Sequence, residues 1–172
     1  MSAPFAGLTR IGDATSFVDR LLASIEHIRL FEDFERDEIE RLAPHLRCYR
    51  APAGSALIRE GEQGDFMLLL IDGKCEIVRR DPEGLPQRIG VAGAGRTLGE
   101  MSMIDGEPRF ASCIALEETL FAVLDRDGLS RIIAEDPRFG NKLLIELILL
   151  LSQRLRVASG KLVDGNATIE SV

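Results

Sequence analysis

The chain reads as an α+β protein, with helical segments at both ends of a central antiparallel β unit. Three observations predict this. Between residues 47 and 125, short apolar runs alternate with Gly and Pro punctuation at intervals of about ten residues, the texture of a barrel or sandwich. Before that stretch, apolar residues fall at helix spacing. After it comes a long, leucine-rich segment that opens on an acid followed by proline.

In chain order, residues 1–13 hold Pro4, Gly7 and Gly12 with little periodicity and read as a loose lead-in. From Thr15, the spacing of Phe17, Leu21, Leu22, Ile25 and Ile28 predicts a helix. Residues 35–46 form a second amphipathic piece, with Ile39, Leu42 and Leu46 on one side. Strands are expected over 56–59, 66–71, 74–79, 87–92, 112–116 and 119–124. Asp72-Gly73 between two of these runs is a two-residue hairpin signal, because a type I′ turn needs positive φ. Residues 81–86, with Pro82, Gly84 and Pro86, form a longer loop. A short helix follows over 127–133. Asp136-Pro137 then starts a helix expected to run to about Ala158, with Gly160 as its stop. That helix carries two apolar stripes. Leu144, Ile148, Leu151 and Leu155 make a coiled-coil-like seam, and Leu143, Leu147 and Leu150 make the other. One stripe can cover the β unit and the other needs a partner. The tail from Val163 is polar and should fray.

Composition narrows the function classes. The 172 residues suffice for one domain with a substantial core. A net charge of −7 disfavours nucleic acid as a direct partner. Three well-separated cysteines, Cys48, Cys75 and Cys113, suggest reduced thiols and a cytoplasmic setting. No apolar run is long enough to span a membrane, and no metal-ligand spacing involves His27 or His45. No nucleophile–base set stands out, so an enzyme is not expected. The glycines Gly93, Gly95 and Gly99 look like a dinucleotide fingerprint, but the third spacing is wrong and no βαβ unit surrounds them.

The chemistry concentrates in residues 98–112. Gly99 is followed at once by Glu100, a short apolar turn, Pro108 and then Arg109, before the small residues Ala111 and Ser112. A helical turn opening after Gly99 would present free N–H groups to a phosphate. Arg109 could grip two phosphate oxygens with its planar fork, and Glu100 could accept a hydrogen bond from a sugar hydroxyl. This set suggests a ribose-phosphate ligand.

The spacing Gly99-Glu100-x8-Arg109, with Pro108 before the arginine, resembles the phosphate-binding cassette of cyclic-nucleotide-binding domains. That family includes the catabolite activator protein, protein kinase A regulatory subunits and nucleotide-gated channels. Gly54, Glu60-Gly61, Gly64-Asp65 and Gly73 sit where the family places turns, and Leu30-Phe31-x-x-Phe34 with Glu38-Ile39-x-x-Leu42-Ala43 is similar to its leading helices. The resemblance implies an antiparallel β-roll, a double-stranded β-helix or jelly roll, flanked by N-terminal helices and a long C-terminal helix. It divides the chain into a lead-in and helix (1–29), the cyclic-nucleotide-binding domain (30–160, with the β-roll at 47–125 and the C-helix at 137–159) and a frayed tail (161–172). It implies cAMP or cGMP as ligand and no further cofactor. Gly99 would give close backbone approach, Glu100 the ribose 2′-hydroxyl contact and Arg109 the cyclic phosphate contact. Met101, Phe110, Ala111 and Ser112 would line the site, with Ala111 N–H on the phosphate. The family's base-contacting Thr-Ser pair is Ala158-Ser159 here, leaving Ser159 as a candidate and one hydroxyl missing. Phe110 stands where the family usually has Ala, Ser or Thr; it offers no hydroxyl to guanine, and its ring could point away, narrow the pocket or stack on something flat.

The function expected is a stand-alone cyclic-nucleotide sensor that signals by ligand-dependent movement of the C-helix. It would be dimeric through that helix and read by an unidentified output protein, with no DNA reader of its own and no membrane contact. The alternative is a degenerate roll serving as a dimerisation or docking domain without nucleotide.

Overall fold

The computed structural model describes residues 5–25 and 34–164. Ile28, Leu30 and Phe31 of the expected leading helices, and the tail from residue 165, lie outside them. In chain order the elements are β1 (Thr9–Asp13), a 3-10 turn, α1 (Val18–Ile25), α2 (Arg36–Leu42), a second 3-10 turn, β2 (Arg47–Ala51), β3 (Ala56–Ile58), β4 (Phe66–Asp72), β5 (Lys74–Arg80), β6 (Pro86–Gly93), β7 (Thr97–Leu98), α3 (Glu100–Asp105), β8 (Ser112–Ala115), β9 (Thr119–Asp125), α4 (Arg126–Glu135) and α5 (Pro137–Asp164). The strands make a five-stranded sheet, β1-β2-β9-β4-β7, and a four-stranded sheet, β3-β8-β5-β6, with every pairing antiparallel. This is the expected β-roll with helices at both ends.

Two cores follow from the pleat. On β4, Phe66, Leu68 and Leu70 point between the sheets, whereas Met67, Leu69 and Ile71 point to the helices. On β9, Phe121 and Val123 face inward, and Leu120, Ala122 and Leu124 face outward. Both strands are covered on both faces, which is why they read as unbroken apolar runs rather than alternating ones. The outer core is closed by Ile39 and Leu42 of α2, Leu129 and Ile132 of α4, and Phe139, Leu143, Leu147 and Leu150 of α5. The three cysteines are free and buried. Burial pushes the thiols of Cys48 and Cys113 up to about 12 and that of Cys75 to about 11, so they behave as small apolar residues.

Several expectations are corrected. Residues 9–13 are not a loose lead-in: β1 pairs with β2 at the sheet edge. Its side chains are almost all exposed, so it lacks the alternation that would mark it. Asp72-Gly73 does not close a hairpin. β4 pairs with β7 and β9, and β5 pairs with β6 and β8, so this turn carries the chain from one sheet to the other. Gly73 has φ +86°, and a Cβ there would lie 2.6 Å from the Glu118 carbonyl, so the turn requires glycine for its conformation and for the close approach of residues 118–119. The hairpin is instead β5–β6, closed by Asp81, whose carboxylate accepts from Leu85 N–H at 2.8 Å. β7 is two residues long, too short for any sequence pattern.

α5 begins as expected, with Asp136 accepting from Phe139 N–H at 3.0 Å. It does not stop near Gly160 but continues to Asp164. A Cβ at Gly160 would meet nothing, so this glycine tolerates helical geometry at an exposed site. Of the two stripes, Leu143, Leu147 and Leu150 are buried against the roll's helices and sheet. Ile148 and Leu155 of the seam are 64% and 68% exposed. No helix among the described residues is long and apolar enough to cross a membrane.

Leu147→Ala should therefore cost about 2–5 kcal/mol in urea unfolding, whereas Ile148→Ala should change the stability of the isolated fold by less than about 0.5 kcal/mol. Equal losses would mean that the buried stripe is wrongly assigned.

Candidate functional site

Residues 98–112 leave the five-stranded sheet through β7, form α3, and enter the four-stranded sheet as β8. Gly99 caps α3 in the left-handed region, with φ +81°. A Cβ there would sit 2.6 Å from Arg109 Nη1 and 2.9 Å from Ile58 Cδ1, so glycine is required twice over.

Arg109 is only 4% exposed. Its guanidinium passes between two glycines. At Gly64, a Cβ would lie 2.4–2.6 Å from Nε, Nη2 and Cζ. The planar group rests over the Phe66 ring, 4.2 Å from the centroid. Nη1 donates to Gly99 O at 2.7 Å and Nη2 to Phe66 O at 2.8 Å. Burial lowers its pKa. Among the described residues no carboxylate lies within ion-pair distance of it. A guanidinium has five N–H donors, and among the described residues two carbonyls accept from this one. The group is thus held from behind by backbone.

Glu100 is 2% exposed, at the first position of α3. Its Oε1 accepts from Arg154 Nη1 of α5, and its Oε2 is buried with no partner among the described residues. Arg154 also donates from Nη2 to Thr97 O at 2.8 Å and to Thr97 Oγ1 at 2.9 Å. Burial and the nearby Arg96 lower the Arg154 pKa to about 10. One arginine of α5 thus joins the strand before the cassette to the cassette's acid.

The other expected residues distribute as follows. Met101 projects outward, 49% exposed. Phe110 is 50% exposed and does stack on something flat: the Arg79 guanidinium lies 3.8 Å above its ring. Ala111 and Ser112 are half-buried, and Ser112 Oγ accepts from Glu60 N–H at 3.0 Å, which commits that hydroxyl to the fold. Ser159 is half-buried on α5. It lies about 140° round the helix from Arg154, whereas Ala158 lies only about 40° away. Ser159 therefore shares the side of Ile148 and Leu155, while Ala158, which is exposed, lies on the side of Arg154 and carries no hydroxyl.

Reading the sequence missed Arg154, Thr97, Gly64 and Phe66. Gly64 was legible as a turn but not as the floor beneath an arginine 45 residues later. Arg154 carried no signal, since a cation near the exposed end of a helix is ordinary and its partner is 54 residues away in sequence.

The model of the cyclic nucleotide-binding domain family matches residues 49–136. The chain belongs to this family. It is 33% identical over 135 residues to a CRP-like cAMP-activated global transcriptional regulator of Mycobacterium tuberculosis, covering 78% of this chain and 58% of that protein. A cAMP-dependent protein kinase regulatory subunit of Aspergillus fumigatus is 33% identical over 111 residues, 64% of this chain and 26% of the relative. The chain thus spans less than two thirds of these relatives. Among solved structures, a cyclic nucleotide-binding domain from Methylobacillus flagellatus KT superposes with a TM-score of 0.86 at 37% identity, covering 100% of this chain and 96% of the other. The β-roll is that of the family.

Arg154→Met should destabilise the domain by about 1–3 kcal/mol in urea unfolding, because the buried Glu100 carboxylate would lose its cation. Glu100→Gln should recover part of that loss in the double variant. If the two effects simply add, the ion pair is not formed in solution.

Proposed function

We propose that this chain is a cyclic-nucleotide sensor, with cAMP its favoured ligand. Arg109 takes the cyclic phosphate, Glu100 the ribose 2′-hydroxyl and Ala111 N–H a second phosphate oxygen. The observation that carries the reading is a guanidinium buried to 4% exposure without an acid partner among the described residues. Burying an unpaired cation is costly unless an anion arrives to complete it. The orphaned Glu100 Oε2 supports the same ligand, since a carboxylate oxygen accepts and a ribose hydroxyl donates. Cyclic nucleotides carry both groups a few ångströms apart. Relatives named as cAMP-activated or cAMP-dependent favour adenine, and Phe110 offers no hydroxyl to guanine.

Signalling through α5 fits the same geometry. Glu100 has two roles in this reading: one oxygen is gripped by Arg154, and the other is buried without a partner among the described residues and would take the ligand hydroxyl. A ligand that alters Glu100 alters the hold on α5, to the extent that it binds one α5 position better than another. The relatives named above are regulators rather than catalysts, which supports a regulatory and not an enzymatic role.

The outward face of α5 supports a homodimer. Ile145, Ile148, Leu149 and Leu155 are each more than half exposed, and burying such side chains gains about 1.5–3 kcal/mol each. Ser159 lies on that side, so any base contact it makes is to the partner's nucleotide.

In a thermal melt, saturation at about 100 times Kd should add about 2.7 kcal/mol, a shift of about 5–10 °C for a domain of this size. cAMP should give this shift and 5′-AMP should not. Arg109→Ala should abolish it, and so should Gly64→Ala, whose new methyl displaces the guanidinium. No shift with any cyclic nucleotide, in protein that melts cooperatively, would overturn the sensor reading and leave the docking-domain reading. For the dimer, Ile148→Glu with Leu155→Glu should give a folded monomer in sedimentation equilibrium. An unaffected dimer would place the interface elsewhere.

A further inference from the structure

Phe5 is a non-glycine residue in the left-handed region, with φ +67°. A large side chain holds that conformation only where its surroundings over-determine it. Here the chain turns back on itself, Leu8 N–H donating to Phe5 O at 3.0 Å, and the turn places the Phe5 ring at the open edge of the sandwich. Its centroid lies 4.9 Å from Tyr49, 4.9 Å from Phe66 in an edge-on arrangement, and 5.5 Å from Phe121. Tyr49 stacks on Phe121 at 5.8 Å. The four rings form one aromatic cluster.

Phe66 belongs both to this cluster and to the ligand site. Its ring underlies the Arg109 guanidinium, and its carbonyl accepts from Arg109 Nη2. Beside both lies a cavity of about 850 Å³, lined by Phe5, Leu8, Gly64, Phe66 and Arg109 among others. Phe66 is one of the lining residues of that cavity, and the Phe5 ring packs edge-on against it. We infer that Phe5 is a positioning residue for the nucleotide site, holding Phe66 and through it the seat of Arg109. The inference rests on Arg109 being the anion contact. It gives the N-terminal segment, some hundred residues from the cassette in sequence, a part in ligand affinity.

The test needs a readout on Arg109 itself, without nucleotide. The Arg109 Nε–H resonance in ¹⁵N NMR, assigned by its loss in Arg109→Lys, should show protection from solvent exchange in the native protein. In Phe5→Ala, exchange should accelerate and cAMP affinity should fall by about tenfold. Phe5→Leu, which refills the space without a ring, should recover part of both and also guards against a variant that fails to fold. Ile39→Val, in the outer core and outside the lining of this cavity, should lower the melting temperature and leave the resonance and the affinity unchanged. Tyr49 is the one tyrosine in a chain without tryptophan. Its near-ultraviolet circular dichroism should therefore change in Phe5→Ala, and change again in native protein on adding cAMP. An unchanged Arg109 resonance in Phe5→Ala, or an equal effect of Ile39→Val, would overturn the inference. Protein that binds no nucleotide while Phe5→Ala still frees Arg109 would overturn the sensor reading and keep the positioning role.

Discussion

Arg109 is a cation placed at the rim of an apolar sandwich, and the local structure is arranged to make that placement tolerable. Two backbone carbonyls replace part of its water, an aromatic ring takes one face, and two residues without side chains make room. These supports come from two segments: the β3–β4 connection with Gly64 and the start of β4, and the cap at Gly99. None would be needed around an ordinary core residue. Together they fix the charge in position while leaving it without an acid partner among the described residues, the condition on which the proposed phosphate contact rests.

The partner of this arrangement is an acid in the opposite condition. Glu100 is half satisfied, by a residue of the last helix. A buried carboxylate with one oxygen paired and one unpaired is sensitive to anything that donates to the second oxygen. Because the pairing arginine also grips Thr97, α5 is fastened both to the acid and to the strand that leads into it. The cassette and the C-terminal helix therefore share a small polar network in a region of low dielectric, where each hydrogen bond weighs more than it would at the surface.

The helices serve this site by covering the outer face of the five-stranded sheet. β4 and β9 need cover on both sides, and α2, α4 and the inner stripe of α5 supply it. Asp125 caps α4 through Gly128 N–H at 2.7 Å and also pairs with Arg47 of β2 at 2.7 Å. Arg126, the first residue of α4, donates to the Met103 and Ser102 carbonyls at the end of α3. The cassette helix is thus tied at its start to α5 through Glu100 and at its end to α4 through Arg126.

The local code of this chain is clear wherever chemistry is carried by neighbours. The apolar runs of β4 and β9, the Asp136-Pro137 start of α5, and the spacing of Gly99, Glu100 and Arg109 all act within a few turns of chain, and the sequence alone determined them. It also determined which residues would be charged and which small. What it could not determine were relations set by the path of the backbone between the sheets. Asp72-Gly73 has the composition of a hairpin, but positive φ at glycine serves a crossover equally well, and only the pairing of β4 with β9 decides between them. Gly64 beneath Arg109, Arg154 on Glu100 and Phe5 against Phe66 join residues 45, 54 and 61 positions apart. Those contacts exist because two sheets and a helix converge at one edge. Composition names the groups available, and tertiary structure selects which of them are buried together and left in need of a ligand.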